Sequence, residues 1–232
     1  MGHIIDDLLE KYKERYQKAI THALTKELCE GTLPDFKLFT YLTQDLKFFQ
    51  LGMNVFGKTL AYCDNTDSAI ILSKQIGFIA NDENDYFDNC LTQLKETSKP
   101  ELEQHCCKML LGPDSPVLPL VEKYLQYLKH LAHESLSYVE IITFMYLMEQ
   151  VYLGWADFHI LKGNVREDLP YKYKEWIILH SGDKFTSWVE FLKREVNRAV
   201  VSQDDRSLCE EAFLMALNLE IAFFDSCYSY KE

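Results

Sequence analysis

Three carboxylates stand where a carboxylate is costly. Asp45 lies in Tyr41-Leu42-Thr43-Gln44-Asp45-Leu46-Lys47-Phe48-Phe49, Glu149 in Phe144-Met145-Tyr146-Leu147-Met148-Glu149-Gln150-Val151-Tyr152, and Glu220 in Leu217-Asn218-Leu219-Glu220-Ile221-Ala222-Phe223-Phe224. On a helix Tyr41, Asp45, Phe48, Phe49 and Gly52 share a face, because their spacing runs i, i+4, i+7, i+8, i+11. Tyr146, Glu149, Tyr152 and Leu153 share another, and Ala216, Leu217, Phe223, Phe224 and Cys227 surround Glu220. A carboxylate among apolar neighbours is unfavourable unless it is paired, protonated or used. Two readings are open. The acids meet a polar ring in an aromatic pocket, or each pairs in the core with a lysine or a tyrosine hydroxyl. Periodicity alone does not decide whether three helices converge.

Other constellations carry less. Adjacent cysteines in His105-Cys106-Cys107 point to different sides of a helix, and no second Cys or His pair follows at zinc spacing. A di-iron bundle needs Glu-x-x-His pairs, and no glutamate here has a histidine three residues later. Phosphate loops, dinucleotide fingerprints and a nucleophile elbow are absent. Gly52-Met53-Asn54-Val55-Phe56-Gly57 lacks their spacing and falls inside a helix. The acidic run Asn81-Asp82-Glu83-Asn84-Asp85 reads as a solvated bend, because it lacks the glycine and terminal glutamate of a calcium loop. Trp155, Trp176 and Trp188 read as core or interface anchors. We expect no metal and no organic cofactor.

The elements that must position these residues read as helices throughout. Nine glycines and six prolines in 232 residues are too few for a strand-rich chain of tight turns. Ile4, Ile5, Leu8, Leu9, Tyr12, Tyr16, Ile20, Ala23 and Leu24 make one apolar stripe, predicting a first helix that includes His22 and ends near Cys29. Gly31-Thr32-Leu33-Pro34 breaks it, and Pro34 suits the first turn of a second helix running to about residue 62. A third element, bent, runs from about 65 to 95. Ser98-Lys99-Pro100-Glu101 and Ser137-Tyr138-Val139-Glu140 fit capping boxes, and Ser115-Pro116 opens a helix between them. Gly163-Asn164 ends the helix that Ser137 begins. Leu169-Pro170 opens the next and Ser181-Gly182 closes it. The last two helices fall at 183–201 and 205–229. The expectation is a single all-α domain over 1–232, with eight to ten helices.

Composition narrows the partners. The 36 acidic and 24 basic residues leave a net charge of −12. That disfavours nonspecific binding to nucleic acid or an anionic membrane, since phosphate contacts need a basic surface. No apolar run reaches membrane-spanning length. The start, Met1-Gly2-His3-Ile4-Ile5-Asp6-Asp7, is acidic, lacks a signal peptide's regions, and has Asp6 where a myristoylation signal wants Ser or Thr. Seven cysteines without a leader suggest reduced thiols in the cytoplasm or nucleus. Cys63, Cys90, Cys209 and Cys227 read as buried, Cys29 as partly exposed.

Gly31-Thr32-Leu33-Pro34, Phe36, Phe39, Tyr41-Leu42 and Gln44-Asp45 resemble the "G-x-L-P…F…Y-L-x-Q-D" signature of the TenA (thiaminase II) family. His22-Ala23-Leu24 is similar to that family's "H-P-F" segment. Leu219-Glu220-Ile221-Ala222-Phe223-Phe224-Asp225-Ser226-Cys227-Tyr228 is similar to its closing "E-x-x-F-W-x-M-A-Y". The family's cysteine branch carries "L-P-C-x-W-x-Y", with a nucleophilic Cys. Here Tyr146-Leu147-Met148-Glu149-Gln150-Val151-Tyr152 has none and resembles the "I-E-A-V-Y" of the glutamate-type branch, TenA_E. Aligning on Tyr152 puts Met148 at the Cys position; aligning on the acid picks Glu149.

The resemblance implies a haem oxygenase-like helical bundle with a central pyrimidine pocket. It implies an aminohydrolase of thiamin salvage, acting on 4-amino-5-(aminomethyl)-2-methylpyrimidine, or also its N-formyl derivative, to give the hydroxymethyl pyrimidine and ammonia. Carried over, the catalytic residues are Asp45, Glu149 and Glu220, and the substrate-binding residues are Asp45, Phe48, Tyr152 and Phe223. A carboxylate suits the donor and acceptor edge of an aminopyrimidine. Tyr124 or Tyr127 matches a further pocket tyrosine. Ile177-Ile178-Leu179-His180-Ser181-Gly182 replaces "I-G-x-Y-G-G", so His180 is either a pocket residue or a surface helix end. The family also implies a homo-oligomer, dimer or tetramer. The rival expectation is a non-catalytic, pyrimidine-binding or regulatory relative, since the nucleophilic Cys is missing.

Overall fold

The computed structural model describes residues 3–232; Met1 and Gly2, where the reading of the acidic start begins, lie outside the described residues. Three short helices come first: α1 (Ile4–Lys11), α2 (Lys13–Ile20) and α3 (Ala23–Glu30). The single helix expected there is broken at Tyr12 and Thr21, where φ falls to −109° and −112° and ψ leaves the helical range. The apolar stripe runs on unbroken because all three segments pack on one core, and periodicity does not register a one-residue kink. His22 therefore is an N-cap, not a mid-helix residue: its Nδ1 accepts from the Leu24 N–H at 3.1 Å.

Gly31 closes α3 at φ 68°, and Pro34 caps α4 (Asp35–Tyr62) just ahead of its first turn. α5 (Thr66–Phe78) passes through a π-turn, Ile79–Glu83, into α6 (Asn84–Thr97), which is the expected bent element. α7 (Lys99–His105) follows. Ser98 precedes it but makes no cap; its hydroxyl donates instead to Asp35. A 3-10 turn, Cys107–Asp114, leads to α8 (Pro119–Lys129). The helix expected from Ser115-Pro116 opens three residues later, because Leu118-Pro119 offers the same extended-then-Pro start. Ser137 does cap α9 (Tyr138–Leu161), accepting from the Glu140 N–H. α10 (Tyr171–Leu179), α11 (Gly182–Ala199) and α12 (Gln203–Ser229) complete the bundle. Ser202 and Asp205 form a reciprocal capping box at the head of α12 that the sequence reading passed over.

α9 sits at the centre, packed on α11 and α12, while α4 packs on α8 and α12. Nearly every residue of α9 between Val139 and Ala156 is buried, so it has no solvent face. Gly154 permits its closest approach to α2, where a Cβ would meet the Tyr16 hydroxyl at 2.1 Å. Cys29 is fully buried, correcting its expected exposure: the end of α3 is covered by α10 and by Arg166, whose N–H donates to the Cys29 carbonyl, and Leu169, which lies against Gly31. Cys63, expected inside, is half-buried at the exposed C-cap of α4. Among the described residues no helix is long and apolar enough to cross a membrane.

Candidate active site

A cavity opens between α4, the π-turn, α6, α8, α9 and α10. Asp45, Phe48, Gly52 and Met53 line it from α4, Ile79 and Glu83 from the π-turn, and Phe87 from α6. Met145, Met148, Glu149 and Tyr152 line it from α9, with Trp176 of α10 and His180 just beyond. Its volume is about 50 Å³, several times the ~10–15 Å³ that one water needs. The lining holds three carboxyls and no lysine, arginine or cysteine.

Each carboxyl is held differently. Asp45 is 4% exposed. Burial pushes its pKa up to about 8, against the opposing pull of the Tyr152 and Tyr41 hydroxyls. Those hydroxyls meet at 3.1 Å, and the Trp176 Nε1–H donates to the Tyr41 oxygen at 3.2 Å. Burial raises Glu149 to about 7. The indole of Trp188 is the polar group beside it, and its Nε1–H finds no acceptor at bonding distance. Glu220 lies deeper, 1% exposed. The Tyr124 hydroxyl donates to its Oε1, while its Oε2 is buried with no partner. Burial lifts it to about 8, helped by the Asp45 and Glu149 charges. That raised value keeps Glu220 protonated at neutral pH.

Asp45, Phe48, Glu149 and Tyr152 thus come together on one cavity. Glu220 and Phe223 do not line it: they sit behind Phe48, with Tyr124 set edge-on to Phe48 at 4.8 Å and to Phe223 at 6.2 Å. Tyr124, rather than Tyr127, is the tyrosine on Glu220; Tyr127 donates to Glu140. Met148 and Glu149 both face the cavity, so both registers of the α9 motif reach it. Tyr146 does not; its hydroxyl donates to Gln150 on the α2 side. On a helix buried all round, shared spacing does not say which face meets the cavity.

Sequence reasoning missed Glu83 and undervalued His180 and Trp176. Asp82 and Asp85 are exposed as expected of a solvated bend, but Glu83 turns inward. Ile79, Glu83 and Phe87 are spaced by four, a signal hidden by the acids around it. His180 is 4% exposed, not a surface helix end. Its Nδ1–H donates to the Trp176 carbonyl at 2.8 Å, and burial lowers its pKa to about 4, so it stays neutral.

Chemically the cavity suits a planar ring that carries N–H donors. Phe48, Tyr152 and Trp176 offer ring faces and edges. The carboxyls accept from amino or amidine groups. Among the described residues no three His, Cys, Asp or Glu side chains gather as metal ligands do.

Solved structures share this architecture. A TenA homologue from P. horikoshii OT3 superposes with a TM-score of 0.79 at 16% identity, over 97% of this chain and 98% of that one. A TenA homologue from Pyrococcus furiosus gives 0.75 at 17% identity, over 97% and 99%. A putative TenA-like thiaminase from Sulfolobus solfataricus gives 0.71 at 14% identity, over 98% and 96%. At these identities the likeness is one of fold. No curated protein matches the chain in sequence. The family model described as TENA/THI-4/PQQC matches residues 8–230, from the middle of α1 to the end of α12, and the chain belongs to that family.

Proposed function

We propose that the protein is an aminopyrimidine aminohydrolase of the glutamate-type TenA branch, acting on 4-amino-5-(aminomethyl)-2-methylpyrimidine. The observation that carries this is the cavity lined by Asp45 and Glu149 among aromatics, with no cysteine, lysine or arginine in its wall. A wall without a thiol disfavours covalent catalysis by Cys and leaves direct hydrolysis. In the balanced reaction water supplies hydroxyl to the methylene carbon, the C–N bond breaks, and the amine leaves as ammonium.

Asp45 accepts from the 4-amino edge of the ring. Its proton passes to the adjacent ring nitrogen, and the ionised carboxylate then accepts from both that N–H and the amino group, holding the ring bidentately. Glu149, with a pKa near neutrality, takes the proton of the attacking water. Glu220, protonated and coupled to both acids, is the proton reserve behind Phe48. Phe48, Tyr152 and, deeper, Phe223 complete the aromatic surround. The family's N-formyl substrate differs by one group, and the same test covers it.

The experiment is release of hydroxymethyl pyrimidine by purified protein given the aminomethyl pyrimidine, its N-formyl derivative, or thiamin, with ammonia followed as the co-product of the first and formate as that of the second. Release from a pyrimidine, lost in Asp45→Asn, supports the hydrolase. Silence on all three with thermal stabilisation by the pyrimidine assigns a binding protein instead. Silence without stabilisation removes the pyrimidine reading altogether.

A further inference from the structure

Glu83 and His180 have no part in the proposed hydrolysis, yet both line the cavity. Glu83 closes the π-turn between α5 and α6. A π-turn adds one residue to the helical repeat and re-aims the side chains that follow. Glu83 keeps 18% of its side chain exposed. Its nearest cation-forming neighbour is His180, whose Nε2 lies 3.8 Å from its Oε1, beyond hydrogen-bond reach.

The imidazole's orientation is fixed. A carbonyl can only accept, so the 2.8 Å contact with Trp176 puts the ring proton on Nδ1. Nε2 is then a bare acceptor. Trp176, Tyr152 and Phe185 pack around the ring at centroid distances of 4.3, 4.8 and 5.3 Å, so it does not turn away. A carboxyl oxygen and an imidazole nitrogen therefore face one cavity without bonding each other. Two acceptors 3.8 Å apart match a primary ammonium, whose three N–H groups can reach both at ordinary hydrogen-bond length.

We propose that Glu83 and His180 form the amine-selecting end of the cavity, where the ammonium of an arylmethylamine donates one N–H to Glu83 and another to His180 Nε2. This rests on the pyrimidine reading and adds to it which ring substituent the site selects. A methyl group supplies no donor, and a hydroxymethyl product supplies only one, so it leaves an acceptor unpaired. Burial and the charges of Glu149 and Asp45 hold the empty Glu83 carboxyl well above its ordinary range. A bound cation reverses that pressure.

Calorimetric titration of the whole chain tests this with three probes: the aminomethyl pyrimidine, 4-amino-2,5-dimethylpyrimidine, and benzylamine. In Glu83→Gln the dissociation constant of both amines rises about tenfold or more, as expected for a lost charge-assisted bond. That of the dimethyl pyrimidine stays within about twofold of wild type. His180→Asn loses less, because only one neutral acceptor is displaced. Equal loss of amine and dimethyl ligands in Glu83→Gln, or unchanged amine binding, overturns the amine end. Glu83-dependent benzylamine binding without any pyrimidine binding keeps it and removes the pyrimidine reading. Binding of the dimethyl compound with Glu83-independent amines does the reverse. No binding of either amine to wild type overturns the proposal outright.

Discussion

The Tyr41 and Tyr152 hydroxyls meet at 3.1 Å beneath Asp45, and the Tyr41 oxygen also accepts from Trp176 Nε1 at 3.2 Å. The two tyrosines are therefore unequal. Tyr41→Phe removes two bonds and strands a buried indole N–H; Tyr152→Phe removes one. Leaving a buried polar group unpaired costs about 1–3 kcal/mol, whereas a lost ordinary bond costs about 1. Urea denaturation is expected to rank Tyr41→Phe below Tyr152→Phe, and equal or reversed losses contradict the network.

The buried acids set a pH dependence of stability. Asp45 and Glu220 hold their protons to about pH 8 in the folded chain but give them up near 4 when unfolded. The folded state then binds more protons, so stability falls as pH rises from about 4 towards 8. Below pH 7 the buried His180 opposes this, because its folded pKa of about 4 lies under the unfolded value. Between pH 7 and 8 His180 is neutral in the folded state and largely so in the unfolded one, and the raised His130, held up first by its bond to Glu134, acts in the same direction as the carboxyls. Each still-protonated carboxyl contributes a fall on the order of 1 kcal/mol per pH unit. Denaturation midpoints measured at pH 7 and 8 should show that fall, and Asp45→Asn should flatten it by about one carboxyl's share.

The helix order and the positions of Asp45, Glu149 and Glu220 on buried faces were legible because apolar spacing along a helix records burial. The finer geometry was not. The breaks at Tyr12 and Thr21 leave the apolar stripe intact. Glu83 hides among exposed acids, because a π-turn shifts the repeat on which facing is judged. Glu220 and Phe223 share the buried face as expected, but whether a buried side chain lines a space or backs the residue that does depends on packing between α4, α8 and α12. α9 gives no facing signal, being buried nearly all round.

Gly154 tests the α2–α9 contact. An added Cβ would come within 2.1 Å of the Tyr16 hydroxyl and 2.8 Å of Ile20 Cγ2. The Tyr16 hydroxyl is also held by Gln150, through its carbonyl at 3.1 Å and its Nε2 at 2.9 Å. Gly154→Ala is expected to cost about 1–3 kcal/mol by overpacking, despite alanine's better helix propensity. Adding Tyr16→Phe removes the nearest atom and should recover part of the loss, leaving the Ile20 clash. A stabilised Gly154→Ala variant, read by thermal unfolding, would show that the helices separate freely.

The site acids should separate stability from turnover. Asp45→Asn and Glu220→Gln keep shape but cannot ionise, so above pH 7 neither variant carries the penalty of a buried charge. Each is expected to unfold no earlier than wild type at pH 8, yet to release ammonia from the aminomethyl pyrimidine at least about a hundredfold more slowly, the usual scale for losing an acid or base. Tyr124→Phe sharpens the test. The Tyr124 hydroxyl lowers the Glu220 pKa, so its loss raises that pKa further and moves any alkaline limb of the rate profile to higher pH. A profile that does not move in Tyr124→Phe, with full activity in Glu220→Gln, would relieve Glu220 of proton transfer and leave it a buried structural acid.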